Sequence, residues 1–83
     1  MATAAFQSEP QASAAAIILR ELGFNADVYV RDGDNFQERA SEFFAGNPPS
    51  FEPNAILVSS DVDRDRFVRT VQRHYGVVVR DGV

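Results

Sequence analysis

The chain contains no cysteine, no lysine and no tryptophan. Without cysteine it can form no disulfide, no thiolate nucleophile and no zinc–thiolate site. Without lysine it can form neither a Schiff base nor the phosphate-binding contact of a P-loop. Several familiar kinds of active site are therefore excluded before any sequence pattern is considered.

Long apolar segments are also missing. No run approaches the roughly 18 residues that a membrane-spanning helix needs. Residues 1–19 lack the basic segment with which a secretory signal begins. The 83 residues suffice for one domain with a thin core. We therefore expect a single-domain cytoplasmic protein with no membrane partner.

The charge of the chain is negative. Eight arginines stand against 12 acidic residues, which gives a formal net charge of −4. Such a charge works against binding to the phosphates of nucleic acids and suits a basic protein surface. We expect no direct nucleic-acid partner.

One six-residue pattern occurs twice, first as Val28-Tyr29-Val30-Arg31-Asp32-Gly33 and again over residues 77–82. Each copy follows a helix-like run that a glycine closes, Gly23 in the first half and Gly76 in the second. A short apolar segment ending in serine precedes each run. The sequence thus predicts two strand–helix–strand units, over residues 3–31 and 55–81.

Two such units favour an α+β fold of the ferredoxin-like kind, with a four-stranded antiparallel sheet and two helices on one face. The alternative is a three-stranded layer, because the alanine-rich residues 3–7 form a weak strand pattern. Alternation places Val28, Val30, Val77 and Val79 beneath the helices. It leaves the opposite sheet face to Tyr29, Arg31, Leu57, Val78 and Arg80.

The two helices have recognisable apolar stripes. The first is expected to run from Ser8 to about Leu22, with Ala14, Ile18 and Leu22 on its buried side and Ala15 beside them. Ile17 and Leu19 widen this stripe. In the second unit, Ser59 or Ser60 is expected to cap a helix with a similar stripe. That stripe consists of Phe67, Val68, Val71 and Tyr75.

Residues 34–53 form an insert between the units. Phe36, Ala40, Phe43 and Phe44 share one side of a short third helix that ends near Ala45. A proline-containing loop and Phe51 follow. These aromatic residues either complete the core or anchor a partner. We expect Phe36, Phe43 and Phe44 to point inward, and Phe51 and the loop to point outward.

No motif predicts catalysis, a cofactor or a metal. Asp61-Val62-Asp63-Arg64-Asp65 is similar to the start of a calcium loop, but Arg66 stands where such a loop needs glycine. The only histidine, His74, lies about 20 Å from the helix-starting serines at ~1.5 Å per residue. A Ser–His–Asp triad from these residues is therefore excluded.

The pattern favours a small acidic protein that binds a larger protein and acts by covering its surface, as an inhibitor or adaptor. Size and charge of this kind are typical of phage-encoded inhibitors of host defence, including anti-CRISPR proteins. The alternative is a homo-oligomeric subunit that senses a small molecule or builds an assembly. The candidate protein-binding residues are Tyr29, Phe36, Phe44, Phe51, Asp61, Asp63 and Asp65.

Overall fold

A computed structural model describes residues 2–33, 35–44, 46, 49–60 and 63–81, with Asp81 described by its backbone alone. The elements are β1 (Ala2–Phe6), α1 (Glu9–Glu21), β2 (Asn25–Val30), α2 (Phe36–Phe44), β3 (Ala55–Ser60), α3 (Arg64–Arg73) and β4 (Val77–Asp81). The strands pair antiparallel in the order β2-β3-β1-β4. The predicted α+β arrangement, consistent with the ferredoxin-like plan, is confirmed.

The alanine-rich strand β1 is central in this sheet. It pairs with β3 on one side and with β4 on the other, and each of its five residues is buried. Alanine suits this place because elements on both sheet faces come close to the strand. The three-stranded alternative is therefore wrong.

The predicted assignment of side chains to the two sheet faces is wrong in part. Val28 packs on the side of α1 and α3, as expected, and Tyr29 on the opposite side. Leu57, however, lies beside Val28 in the sheet register and faces the same two helices. The alternation within β3 could not show which of its two faces meets the helices.

Three further assignments, all of them in β4, are also wrong. Val78 pairs with Ala4 and packs against the helix-side core, whereas Val79 packs on the opposite side. Val77 is 44% exposed instead of lying beneath a helix. The alternation of β4 therefore runs in the opposite phase to the one expected. The register irregularity comes after Val78, between Thr3 and Ala4 of β1.

Helix α1 packs its small residues against the sheet. Its buried residues are Ala12, Ala15, Ala16 and Leu19. The predicted stripe is wrong in part: Ala15 and Leu19 are buried, but Ile18 and Leu22 are 37% and 43% exposed. Alanines at the contact let the helix lie close to the sheet, while the larger aliphatic side chains remain at its flank.

Helix α3 confirms two of its four predicted core residues. Phe67 and Val71 are fully buried, and Val68 is half-buried. Tyr75 is 82% exposed, because the helix ends at Arg73 and Tyr75 adopts a left-handed φ of 63°. The predicted stripe therefore runs one turn too far.

The predicted serine cap of α3 is also wrong. Asp63 is the N-cap residue, and its Oδ1 accepts the N–H groups of Asp65 at 2.9 Å and Arg66 at 3.3 Å. Ser59 instead lies within β3, where its hydroxyl donates to the carbonyl of Asn25 at 2.8 Å. Ser8 does occupy the N-cap position of α1, but its side chain makes no capping hydrogen bond.

Candidate functional site

Helix α2 covers the sheet face opposite α1 and α3. Its Phe36, Phe43 and Phe44 are only 5%, 7% and 6% exposed. They form a second core cluster with the sheet residues Ala5, Ile56 and Val58. The inward direction expected for the three Phe side chains is confirmed, and the insert encloses a core of its own.

A groove of about 220 Å³ lies between α2 and the segment 49–53. We call it the aromatic groove. Its apolar lining consists of Phe36, Ala40, Phe44, Pro49, Phe51 and Pro53. Arg31, Gln37 and Glu52 complete the lining. Three of the predicted binding residues, Phe36, Phe44 and Phe51, thus meet at one place.

Phe51 is half-buried rather than turned wholly outward. It packs against the cluster beneath α2 and at the same time lines the aromatic groove. Pro49 lines the same groove, whereas Pro48 lies outside the described residues. The groove therefore has one partly accessible aromatic wall resting on buried aromatic side chains.

Arg31 fixes the segment that forms this wall. Its Nη2 donates to the carbonyl of Pro53 at 2.6 Å, and its Nε donates to Oδ1 of Asn54 at 3.0 Å. Its guanidinium lies 5.8 Å from the ring centroid of Phe36, and Nη1 is 3.6 Å from Oε1 of Glu52. Arg31 therefore joins the end of β2 to both sides of the groove.

Asn54 ties the same segment to the end of β1. Its Nδ2 donates to the carbonyl of Gln7 at 2.8 Å, and its N–H donates to the carbonyl of Phe6 at 2.9 Å. Its own carbonyl accepts the N–H of Arg31 at 3.0 Å. Sequence reasoning missed this residue, because no local pattern signals contacts with partners 23 and 47 positions away.

A second, more polar groove of about 200 Å³ lies on the other side of α2. Tyr29 lines it, with its ring centroid 5.3 Å from that of Phe43 and 5.6 Å from the guanidinium of Arg39. The predicted binding residue Tyr29 is thus adjacent to α2 but lies outside the aromatic groove.

Two carboxylates, Asp27 and Glu42, line this polar groove as well. Both residues are exposed, and Glu42 lies 3.8 Å from Arg39.

The predicted acidic residues lie apart from the aromatic ones. Asp63 and Asp65 are exposed at the start of α3, on the helix side of the sheet. The carboxylate of Asp63 is engaged as the helix cap. Asp61 lies outside the described residues. The seven predicted residues therefore do not form one site.

The remaining candidates for chemistry have local structural roles. His74 Nδ1 donates to the carbonyl of Thr70, one turn earlier, at 2.8 Å. The described residues contain no group of three or more His, Cys, Asp or Glu side chains that could hold a metal ion. None of the helices described is long and apolar enough to cross a bilayer.

Comparison with known proteins identifies no relative. No protein-family model matches the chain, and neither a curated protein nor a solved structure is significantly similar to it.

Proposed function

We propose that the chain is a non-enzymatic protein-binding domain that holds an apolar side chain of a larger partner in the aromatic groove. The observation that carries this proposal is the convergence of Phe36, Phe44 and Phe51 on one apolar groove. At about 220 Å³ the groove is smaller than the ~300–1,000 Å³ sites that enclose drug-sized ligands. A single aliphatic or aromatic side chain suits it better.

The fixed conformation of the groove wall, segment 49–53, supports binding. Arg31 and Asn54 hold segment 49–53 against the sheet through hydrogen bonds of 2.6–3.0 Å. A wall that is ordered before the partner arrives loses little conformational entropy on binding. Aromatic side chains in such places contribute much of the binding energy of protein interfaces.

The charge of the insert that contributes to the groove favours a basic partner surface. Residues 31–53 contain two arginines and five acidic residues, so this region alone carries a charge of −3. The described ion pairs link Arg31 to Glu52 and Arg39 to Glu42, which offsets both positive charges. A partner with an apolar side chain flanked by arginine or lysine would complement this region.

Acting by surface occupancy, such a domain would serve as an inhibitor or an adaptor in the cytoplasm. Its small size and acidity support a phage-type inhibitor of host defence, such as an anti-CRISPR protein. Acidic inhibitors of this kind would cover a basic, nucleic-acid-binding surface of their target. The proposed inhibitor or adaptor would use no cofactor and would make no direct contact with nucleic acid.

The test begins with affinity capture from the native host, followed by binding measurements with the purified partner. Phe51→Ala should weaken binding at least tenfold while the domain remains folded, because Phe51 is the accessible aromatic wall. Phe24→Ala is the matched control, since Phe24 is also half-buried but packs on the helix side of the sheet. Equal binding by the wild type and Phe51→Ala would overturn the proposal.

A further inference from the structure

The two sides of the sheet carry opposite charge. Helix α3 contains four arginines, namely Arg64, Arg66, Arg69 and Arg73, and one acid, Asp65. Residues 64–73 therefore have a net charge of +3, although the whole chain has −4. The acidic insert, with a net charge of −3 over residues 31–53, holds its helix against the other sheet face.

Three of these arginines form an exposed row. Arg66, Arg69 and Arg73 follow one another at intervals of three and four residues, on the side away from the buried Phe67 and Val71. The structure shows no ion pair for these three within the residues it describes, in contrast to the two arginines of the insert. The row spans about 10 Å at ~1.5 Å per residue.

Exposed aliphatic side chains lie beside this row. Ile18 and Leu22 of α1 are 37% and 43% exposed, and α1 packs against α3. Arg20 Nε donates to the carbonyl of Ala26 at 2.9 Å, so the Arg20 flank of α1 faces the edge strand β2. Ile18 is about 200° from Arg20 around the helix. Because the Arg20 flank faces β2, Ile18 lies on the opposite flank of α1, toward α3.

We define the basic helix face as Ile18 and Leu22 of α1 with Arg66, Arg69 and Arg73 of α3. Neighbouring large aliphatic side chains left exposed are typical of an interaction surface. Arginine next to them favours a partner with both carboxylates and an apolar pocket. The chain itself contains such a surface in the insert, which has a net charge of −3 over residues 31–53 and forms most of the aromatic groove.

We propose that a second copy of this chain occupies the basic helix face through its aromatic groove and acidic insert. Within one chain the two surfaces lie on opposite sides of the sheet, so the contact can form only between copies. Because the two surfaces differ, the contact is heterologous, and each added copy presents a free surface of each kind. Head-to-tail chains or a closed ring follow.

This inference rests on the same groove as the proposed function, and it gives the homo-oligomeric alternative a definite geometry. A copy bound in the groove would exclude the partner. Self-association would therefore compete with partner binding and decline as the partner is added.

The first experiment measures average mass by sedimentation equilibrium. At about 0.01 M ionic strength, the mass should rise with protein concentration between ~10 μM and ~1 mM. At about 0.5 M ionic strength it should fall to that of the monomer, because salt screens the exposed charges. A monomer at ~1 mM and low ionic strength would overturn the proposal.

Charge reversal identifies the surfaces. One variant carries Arg66→Glu, Arg69→Glu and Arg73→Glu, and the other carries Glu38→Arg and Glu52→Arg, of which Glu52 lines the aromatic groove. All five positions are exposed. Each variant alone should be monomeric, and an equimolar mixture should associate again. Renewed association in the mixture would show that each variant alone is monomeric because of its altered surface, and not because its overall net charge has changed. Two variants that stay apart when mixed, or that associate separately, would contradict the contact.

The two proposals can fail separately. The arginine-reversal variant leaves the aromatic groove intact, so it should lose self-association and keep partner binding. Phe51→Ala should weaken both. If the wild type stays monomeric but binds a basic partner, the proposed function survives and this inference is wrong. If the wild type associates with itself but binds no partner, this inference survives and the proposed function is wrong.

Discussion

Gly76 lies directly against the ring of Phe6. A Cβ atom placed on Gly76 would be 2.5 Å from Cζ of Phe6 and 2.8 Å from Cγ1 of Val71. The left-handed turn that ends α3 belongs instead to the preceding residue, Tyr75. Glycine is therefore needed at position 76 for close packing, and not for its backbone freedom.

Gly76→Ala should lower the free energy of unfolding by about 1–3 kcal/mol, the usual effect of forcing a methyl group into a packed core. Urea denaturation measures this. Combining it with Phe6→Leu should cost less than the sum of the two single changes, because the smaller side chain makes room. Strictly additive effects would show that the methyl group does not meet the Phe6 ring.

Tyr75→Gly tests the other half of this arrangement. A left-handed residue other than glycine is strained by roughly 1–2 kcal/mol, and glycine removes that strain at some entropic cost. The Tyr75 side chain is 82% exposed, so little buried surface is lost. We expect a gain of up to about 1 kcal/mol in urea denaturation. Tyr75→Ala keeps the strain and should show no gain; equal results for both variants would contradict the explanation.

Asn54→Ala should destabilise the fold by about 1–2 kcal/mol, because two side-chain hydrogen bonds to Arg31 and Gln7 are lost. It should also weaken any ligand of the aromatic groove, whose wall these bonds hold. Asn25→Ala is the matched control, since Asn25 is exposed and no side-chain hydrogen bond is seen for it in the described part of the chain. Equal unfolding midpoints for both variants would remove Asn54 from this role.

Local periodicity was enough to predict several elements of the fold, whereas β1 was predicted only from its correspondence with the second unit. Alternating residues predicted β2, and the spacing of Phe36, Phe43 and Phe44 predicted both α2 and its buried side. These signals survive because each depends on neighbours within one strand or helix. The ferredoxin-like order then followed from the repeated strand–helix–strand pattern.

What the sequence could not predict depends on distant partners. Leu57 faces the helices because of its pairing with β1 and β2, which no pattern within β3 reveals. The buried side of α1 is made of alanines, whose hydropathy is too weak to outweigh Ile18 and Leu22. The Arg31–Asn54 contact joins residues 23 positions apart.

Gly23 and Gly76 were aligned with each other in the repeat, and the structure shows that they do not occupy equivalent positions. Phe24 and Gly76 each donate the backbone N–H to the carbonyl five residues earlier, at 3.0 Å. Gly76 therefore corresponds to Phe24, and Tyr75 corresponds to Gly23, whose φ is 94°. Matching glycine with glycine shifts the second unit by one residue, which is why Tyr75 was expected in the core.

Asp63 separates a structural role from a binding role. Asp63→Ala should destabilise by about 0.5–2 kcal/mol, because the first N–H groups of α3 lose their acceptor. Asp65→Ala, two residues further on, should lose only the roughly 0.3–1 kcal/mol of a favourable charge near the helix start. Guanidinium chloride denaturation would rank the stabilities of the two variants.

Asp63→Asn keeps a capping oxygen and removes the charge. If capping is the role of this residue, the variant should retain both stability and partner binding. Loss of binding in a stable Asp63→Asn variant would instead return Asp63 to the interface.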